Sequence, residues 1–86
     1  MRVVIPSPLF SYTSGQREVD ARGACIADVL HDLDARYPGM RHRIVDEQNR
    51  IRPHIRFFVN GDSATTLDHR LSADDEVLIV AALSGG

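Results

Sequence analysis

Only one stretch of this chain carries an apolar repeat at helical spacing over several turns. Ile26, Val29, Leu30, Leu33 and Tyr37 recur on one face at intervals of three and four, while Asp28, His31, Asp32 and Arg36 fall elsewhere. Pro38-Gly39 stops the pattern. Gly23 permits a tight turn into it, and no Ser or Thr stands ideally at its cap. A single helix buries one stripe only, so the rest of an 86-residue chain must supply a sheet for it to cover. A chain of this length builds one domain around one small continuous core, with no room for a deep enclosed active site.

The remaining segments read as strands. Residues 2–5 are apolar and β-branched apart from Arg2, and Pro6 and Pro8 limit them. Residues 11–15 read as a turn and 16–21 as a second strand, giving a hairpin. Residues 40–50 are irregular, with a short strand expected near 43–45 and a loop at 46–49. From Arg50 the pattern alternates, with Arg52, His54 and Arg56 against Ile51, Pro53, Ile55 and Phe57, which predicts a half-buried strand beginning after Pro53. Asn60-Gly61 is the favoured type I′ hairpin dipeptide, and residues 65–67 are expected to pair back. Residues 71–75 form a turn, and 76–82 the last and most apolar strand.

The order is ββαβ(β)β, with the first and last strands central. This predicts an α+β fold of the β-grasp (ubiquitin-like) type: a mixed sheet of four to five strands with one main helix packed on one face. A split βαβ ferredoxin-like fold would need a second full-length helix, and the stretch after Leu67 is too short for one. The expected division is a β-grasp domain over residues 1–82 and a flexible tail over 83–86.

Composition excludes several functions. The net charge is −2, so no overall field recruits nucleic acid or membrane. The ten basic side chains are all Arg, and those at 36, 41, 43, 50, 52 and 56 are interleaved with carboxylates and match no RNA-binding motif. One cysteine, Cys25, permits no internal disulfide and fits a reducing cytoplasm. At the start of the helix it reads as a small buried hydrophobe rather than a nucleophile. No signal peptide or membrane span is expected. His31, His42, His54 and His69 lack paired ligand spacing, so no metal site is expected. Asp74-Asp75-Glu76 reads as a solvated turn. No nucleophile–base pair or glycine-rich phosphate loop is present, and the chain is not expected to be an enzyme by itself.

The sequence closes on Leu83-Ser84-Gly85-Gly86, a few residues after a core strand. Four segments occur in order: Leu33-Asp34-Ala35-Arg36-Tyr37-Pro38-Gly39, Phe57-Phe58-Val59-Asn60-Gly61-Asp62, Leu71-Ser72-Ala73-Asp74-Asp75-Glu76-Val77-Leu78-Ile79-Val80 and Gly85-Gly86. Together they resemble the MoaD/ThiS family of ubiquitin-like sulfur carriers over nearly the whole chain. Where many members of that family carry proline before the diglycine, this chain has Ala81-Ala82-Leu83-Ser84.

The resemblance implies that an E1-like partner enzyme uses ATP to adenylate the Gly86 carboxylate. Sulfur then displaces AMP, and the resulting thiocarboxylate donates sulfur to a synthase or its large subunit in molybdopterin, thiamine, cysteine or related biosynthesis. The chain itself would bind no cofactor. Glycine lacks a Cβ, so Gly85 and Gly86 suit a narrow partner channel. Residues 82–86 would reach roughly 16–18 Å at 3.3–3.6 Å per residue. Leu83, Ser84 and Gly85 are expected to line the partner channel, with Leu83 anchoring the tail. Two alternatives stay open: a protein modifier conjugated through Gly86, and a non-covalent binding module.

Strand parity completes the reading. If Val3 and Ile5 face the helix, then Ile55, Phe57 and Val59 do too, and Arg52, His54, Arg56 and Phe58 face away. The last strand is apolar on both faces, so one set must lie open. The expected partner surface is Val4, Phe58, Leu78 and Val80, rimmed by Arg52 and Arg56; the alternative is that residues 46–52 cover Phe58.

Overall fold

The computed structural model describes residues 1–82. Five strands form one mixed sheet: β1 (Arg2–Val4), β2 (Glu18–Asp20), β3 (Ile55–Val59), β4 (Asp62–Ala64) and β5 (Glu76–Ala81). Their order across the sheet is β2-β1-β5-β3-β4. β5 is central, parallel to β1 and antiparallel to β3, so the most apolar strand is the most enclosed. This is the β-grasp architecture, with a helix α1 (Ile26–Arg36) on one face.

The alternation of each strand settles what is buried. Val3, Ile5, Ile55, Phe57, Val59, Val77 and Ile79 face the helix and are at most 6% exposed. Against them α1 places Ile26, Val29, Leu30 and Leu33, each at most 1% exposed. Tyr37 lies just past the helix, half-buried, with the Arg36 guanidinium 5.8 Å from its ring centroid.

No side chain caps the start of α1. Its first N–H groups find other acceptors: Ile26 donates to the His69 carbonyl at 3.2 Å and Ala27 to that of Leu67 at 2.9 Å. These bonds satisfy the orphan donors that a Ser or Thr cap would otherwise meet. Gly23 makes the approach possible, since a Cβ there would lie 2.7 Å from both the Asp28 Cβ and the Val29 nitrogen.

Three local expectations are corrected, and one unassigned segment gains an element. The strand expected near 43–45 is instead a short helix, α2 (Met40–Ile44), which buries Met40 and Ile44 one turn apart; only Val45 makes an isolated bridge, to Ile51. The pairing expected at 65–67 occurs at β4, because Asn60 and Gly61 (φ 51° and 87°) turn the chain in two residues and Val59 already faces Asp62. Residues 7–12, after Pro6, form a 3-10 helix around buried Leu9. Pro8 sits in its first turn, where a missing N–H costs nothing. Cys25 is half-buried rather than buried.

The acidic turn before β5 faces solvent as read and is also knit by its own hydrogen bonds. The Asp75 carboxylate accepts the Ser72 N–H at 2.8 Å and the Asn60 side-chain amide at 2.8 Å. The Asn60 Oδ1 in turn accepts the Glu76 N–H at 2.9 Å, and Glu76 pairs with Arg2. These bonds hold the Asp75 carboxyl below the usual carboxylate range, the Ser72 N–H contributing most and the Asn60 amide next.

Candidate functional site

The face of the sheet away from α1 carries the predicted surface residues. The pairing register sets Val4 beside Leu78 and Leu78 beside Phe58, one row across three strands. At about 4.8 Å per strand, the outer two stand roughly 10 Å apart. All three are half-buried. Val80, next along β5, is 36% exposed and lies beside Arg56. A row of Arg2 and Glu76 bounds the patch at its other end. The structure thus brings Val4, Phe58, Leu78 and Val80 together, with Arg56 at their margin.

The two predicted rim arginines are placed differently. Arg56 donates to the Pro53 carbonyl at 2.7 Å and to that of Ile55 at 3.0 Å, so it stays beside its own strand. Arg52 turns toward α2, where its Nε donates to the His42 carbonyl at 2.8 Å and its backbone N–H to that of Ile44 at 3.0 Å. It is an anchored group at the end of α2 more than a rim of the apolar row.

β5 leads out of the sheet beside that end. Ala82 donates its N–H to the His54 carbonyl at 2.8 Å, one pairing beyond the last regular partner, Ile55 with Ala81. Leu83, Ser84, Gly85 and Gly86, the residues expected to carry the chemistry and the tail, lie outside the described residues. Among the described residues no three His, Cys, Asp or Glu side chains group as metal ligands would, and no helix is long and apolar enough to cross a membrane.

With this geometry in hand, the family is decided by a match that begins in β1 and runs over residues 3–86. The chain belongs to the ThiS family. It is 32% identical to the sulfur carrier protein CysO of Mycobacterium tuberculosis, over 98% of this chain and 96% of that protein. It is 30% identical to small archaeal modifier protein 3 of Haloferax volcanii, over 90% of this chain and 89% of that protein. The crystal structure of the Amycolatopsis orientalis BexX/CysO complex contains a chain that superposes with a TM-score of 0.90 at 28% identity, covering 99% of this chain and 98% of that one. As a ThiS-family member this chain pairs a β-grasp body with the diglycine noted above.

Sequence reading missed the Asn60 clasp and the basic groove that Arg52 helps to form. For Asn60 a signal existed, since an Asn in a type I′ turn has a free side chain. Its partner lies 15 residues on, however, and only the pairing of β3 with β5 brings the two together.

Proposed function

We propose that this chain is a sulfur carrier whose working group is the Gly86 α-carboxylate. The observation that carries the reading is the family match through the diglycine, on a body similar over its full length to CysO. At neutral pH an α-carboxyl, with a pKa of about 3.3–3.7, is a carboxylate and a poor electrophile. An E1-like partner transfers AMP from ATP to a carboxylate oxygen and releases pyrophosphate. A sulfur nucleophile then attacks the acyl carbon, and AMP leaves. The product is a thiocarboxylate, a soft nucleophile that a partner synthase uses as its sulfur source.

The carrier accelerates nothing in this scheme. It supplies a reactive end, a reach and a docking face, binds no cofactor, and leaves ATP to the activating enzyme. The solved complex of CysO with BexX supports a protein partner of this general kind. The CysO relatives favour cysteine-type sulfur transfer over molybdopterin as the destination. A single cysteine, which permits no internal disulfide, and an ATP-linked partner support a cytoplasmic setting for the reaction.

The docking face is the row Val4, Leu78 and Phe58 with Val80, bounded by Arg56. Leu83, Ser84 and Gly85 enter the partner channel. The deciding experiment is mass spectrometry after incubation with an activating enzyme, ATP and sulfide. A gain equal to sulfur replacing one oxygen on the terminal residue is expected, and an unmodified chain under conditions that convert CysO refutes the reading. A Phe58→Ser variant that binds the activating enzyme as tightly as the parent chain refutes the docking face.

A second reading is favoured by the likeness to small archaeal modifier protein 3: conjugation of Gly86 to lysines of other proteins. It begins from the same adenylate. The chain has no Lys, so Lys-linked chains of itself are excluded. Covalent adducts in lysate distinguish this reading from the free thiocarboxylate.

A further inference from the structure

The mid-chain arginines, read from sequence as a charge-balanced stretch, are sorted by the fold. His42 and Arg43 at the end of α2 meet Arg52 and His54 on the lead into β3, lining a groove of about 280 Å³. None of the four forms an ion pair with a carboxylate among the described residues; the pairs there are Met1 with Asp20, Arg2 with Glu18 and Glu76, and Arg36 with Asp32. Arg56, also without such a pair, stands two residues from His54.

The groove is organised before anything binds. Arg52 gives its Nε to the His42 carbonyl, and its Nη2 lies 3.4 Å from the His42 Nε2. The guanidinium is thereby fixed, so less rotamer entropy is lost when its remaining N–H donors are used. Asp46 is a carboxylate that feels Arg52, and its Oδ1 is taken by the N–H groups of Gln48 and Arg50, both at 2.9 Å. On a chain of net charge −2, this groove is an island lined by two arginines and two histidines and, among the described residues, by no carboxylate.

Position gives the island its meaning. His54 lines the groove, and its carbonyl holds Ala82, the residue from which the tail departs. A partner that takes hold of the chain just past Ala82 has this groove within its reach through His54. We propose that the groove of His42, Arg43, Arg52 and His54 is an anion-recognition element that takes a carboxylate-bearing segment on the rim of the protein partner receiving the tail. The assignment rests on the sulfur-carrier reading for the partner's identity, and on the structure alone for the anion chemistry. It lies past the apolar row and sets the orientation of docking, because a charged contact at the tail root fixes which way the sheet face turns.

Two measurements test it. The first titrates the isotope-labelled chain with hexaglutamate and, separately, with a single-stranded RNA oligonucleotide, following backbone amide resonances. Shifts confined to residues 42–43 and 52–54 with hexaglutamate, lost at high salt, are expected. No shift there, or stronger binding of the RNA, overturns the proposal. The second measures binding to the activating enzyme by the Arg43→Glu variant. Arg43 is exposed and makes no side-chain hydrogen bond or ion pair among the described residues, so the fold should tolerate the change. About tenfold weaker binding with a flatter salt dependence is expected for a lost rim charge; affinity within twofold of the parent chain overturns it. If the parent chain is never thiocarboxylated, the carrier reading fails while the titration still reports on the groove.

Discussion

The two ends of β5 are held in opposite ways. At its start, Glu76 is fixed by the Asn60 side chain and backbone and by Arg2, and the preceding Asp75 is gripped by Ser72 and Asn60. At its finish, Ala82 has one hydrogen bond among the described residues, to His54. Among the described residues, the strand is clasped by side chains where it enters the sheet and held by backbone pairing where it leaves. A carrier needs this polarity: the body must stay folded while its last residues are given to another protein. Among the described residues, the side-chain contacts of β5 are concentrated at the end remote from the proposed working carboxylate.

The comparison is broken most severely at the terminal residue. Gly86→Val should abolish thiocarboxylation in the activating-enzyme assay while leaving the melting temperature unchanged. A large loss of stability would mean that the terminal residue belongs to the folded body. Val77→Ala, near the anchored end and 1% exposed, should cost about 2 kcal/mol from two lost methyls and the cavity they leave, read by urea unfolding.

Asn60→Gly keeps the positive φ of the turn but removes the amide that receives the Glu76 N–H. About 1 kcal/mol should be lost for that bond, with the hairpin register kept in the amide spectrum. Ala82→Pro deletes the donor to His54 and restores the residue type common in the family at this stretch. A loss of at most about 1 kcal/mol, without loss of thiocarboxylation, is expected from one exposed hydrogen bond.

The smallest effect is the acid titration of the anchored end. The Asp75 carboxyl is lowered in the folded chain, so its contribution is full above the ordinary carboxylate range and fades as pH falls through that range toward the folded value. Asp75→Asn should therefore flatten the decline of melting temperature between neutral and acidic pH. Asp32 and Asp46 are lowered as well, chiefly by the backbone N–H groups of Arg22 and Arg50, and will keep part of the slope.

Much of this was legible in the chain. The 3.6-residue spacing of α1, the alternation in β3, the Asn60-Gly61 turn and the apolar β5 are local signals repeated over several residues, and each appears in the structure as read. The row of Val4, Leu78 and Phe58 followed from parity alone. Short segments were read less well. Met40 and Ile44 show only one helical interval, and the β-branched pair Ile44-Val45 argues equally for a strand. Packing against α1 decided it, a contact with no trace in a five-residue window.

By itself the sequence determined which residues must be buried, that a single long helix covers a sheet, and that a glycine pair ends the family match. Each is a matter of near neighbours along the chain, where periodicity and turn chemistry act directly. Only the tertiary structure decided how the start of α1 is satisfied without a cap, that Asn60 holds Asp75 and Glu76, and that four basic side chains line one groove. Those contacts join residues 10 to 43 positions apart, because a backbone or side-chain group left unpaired accepts whichever partner the fold brings near.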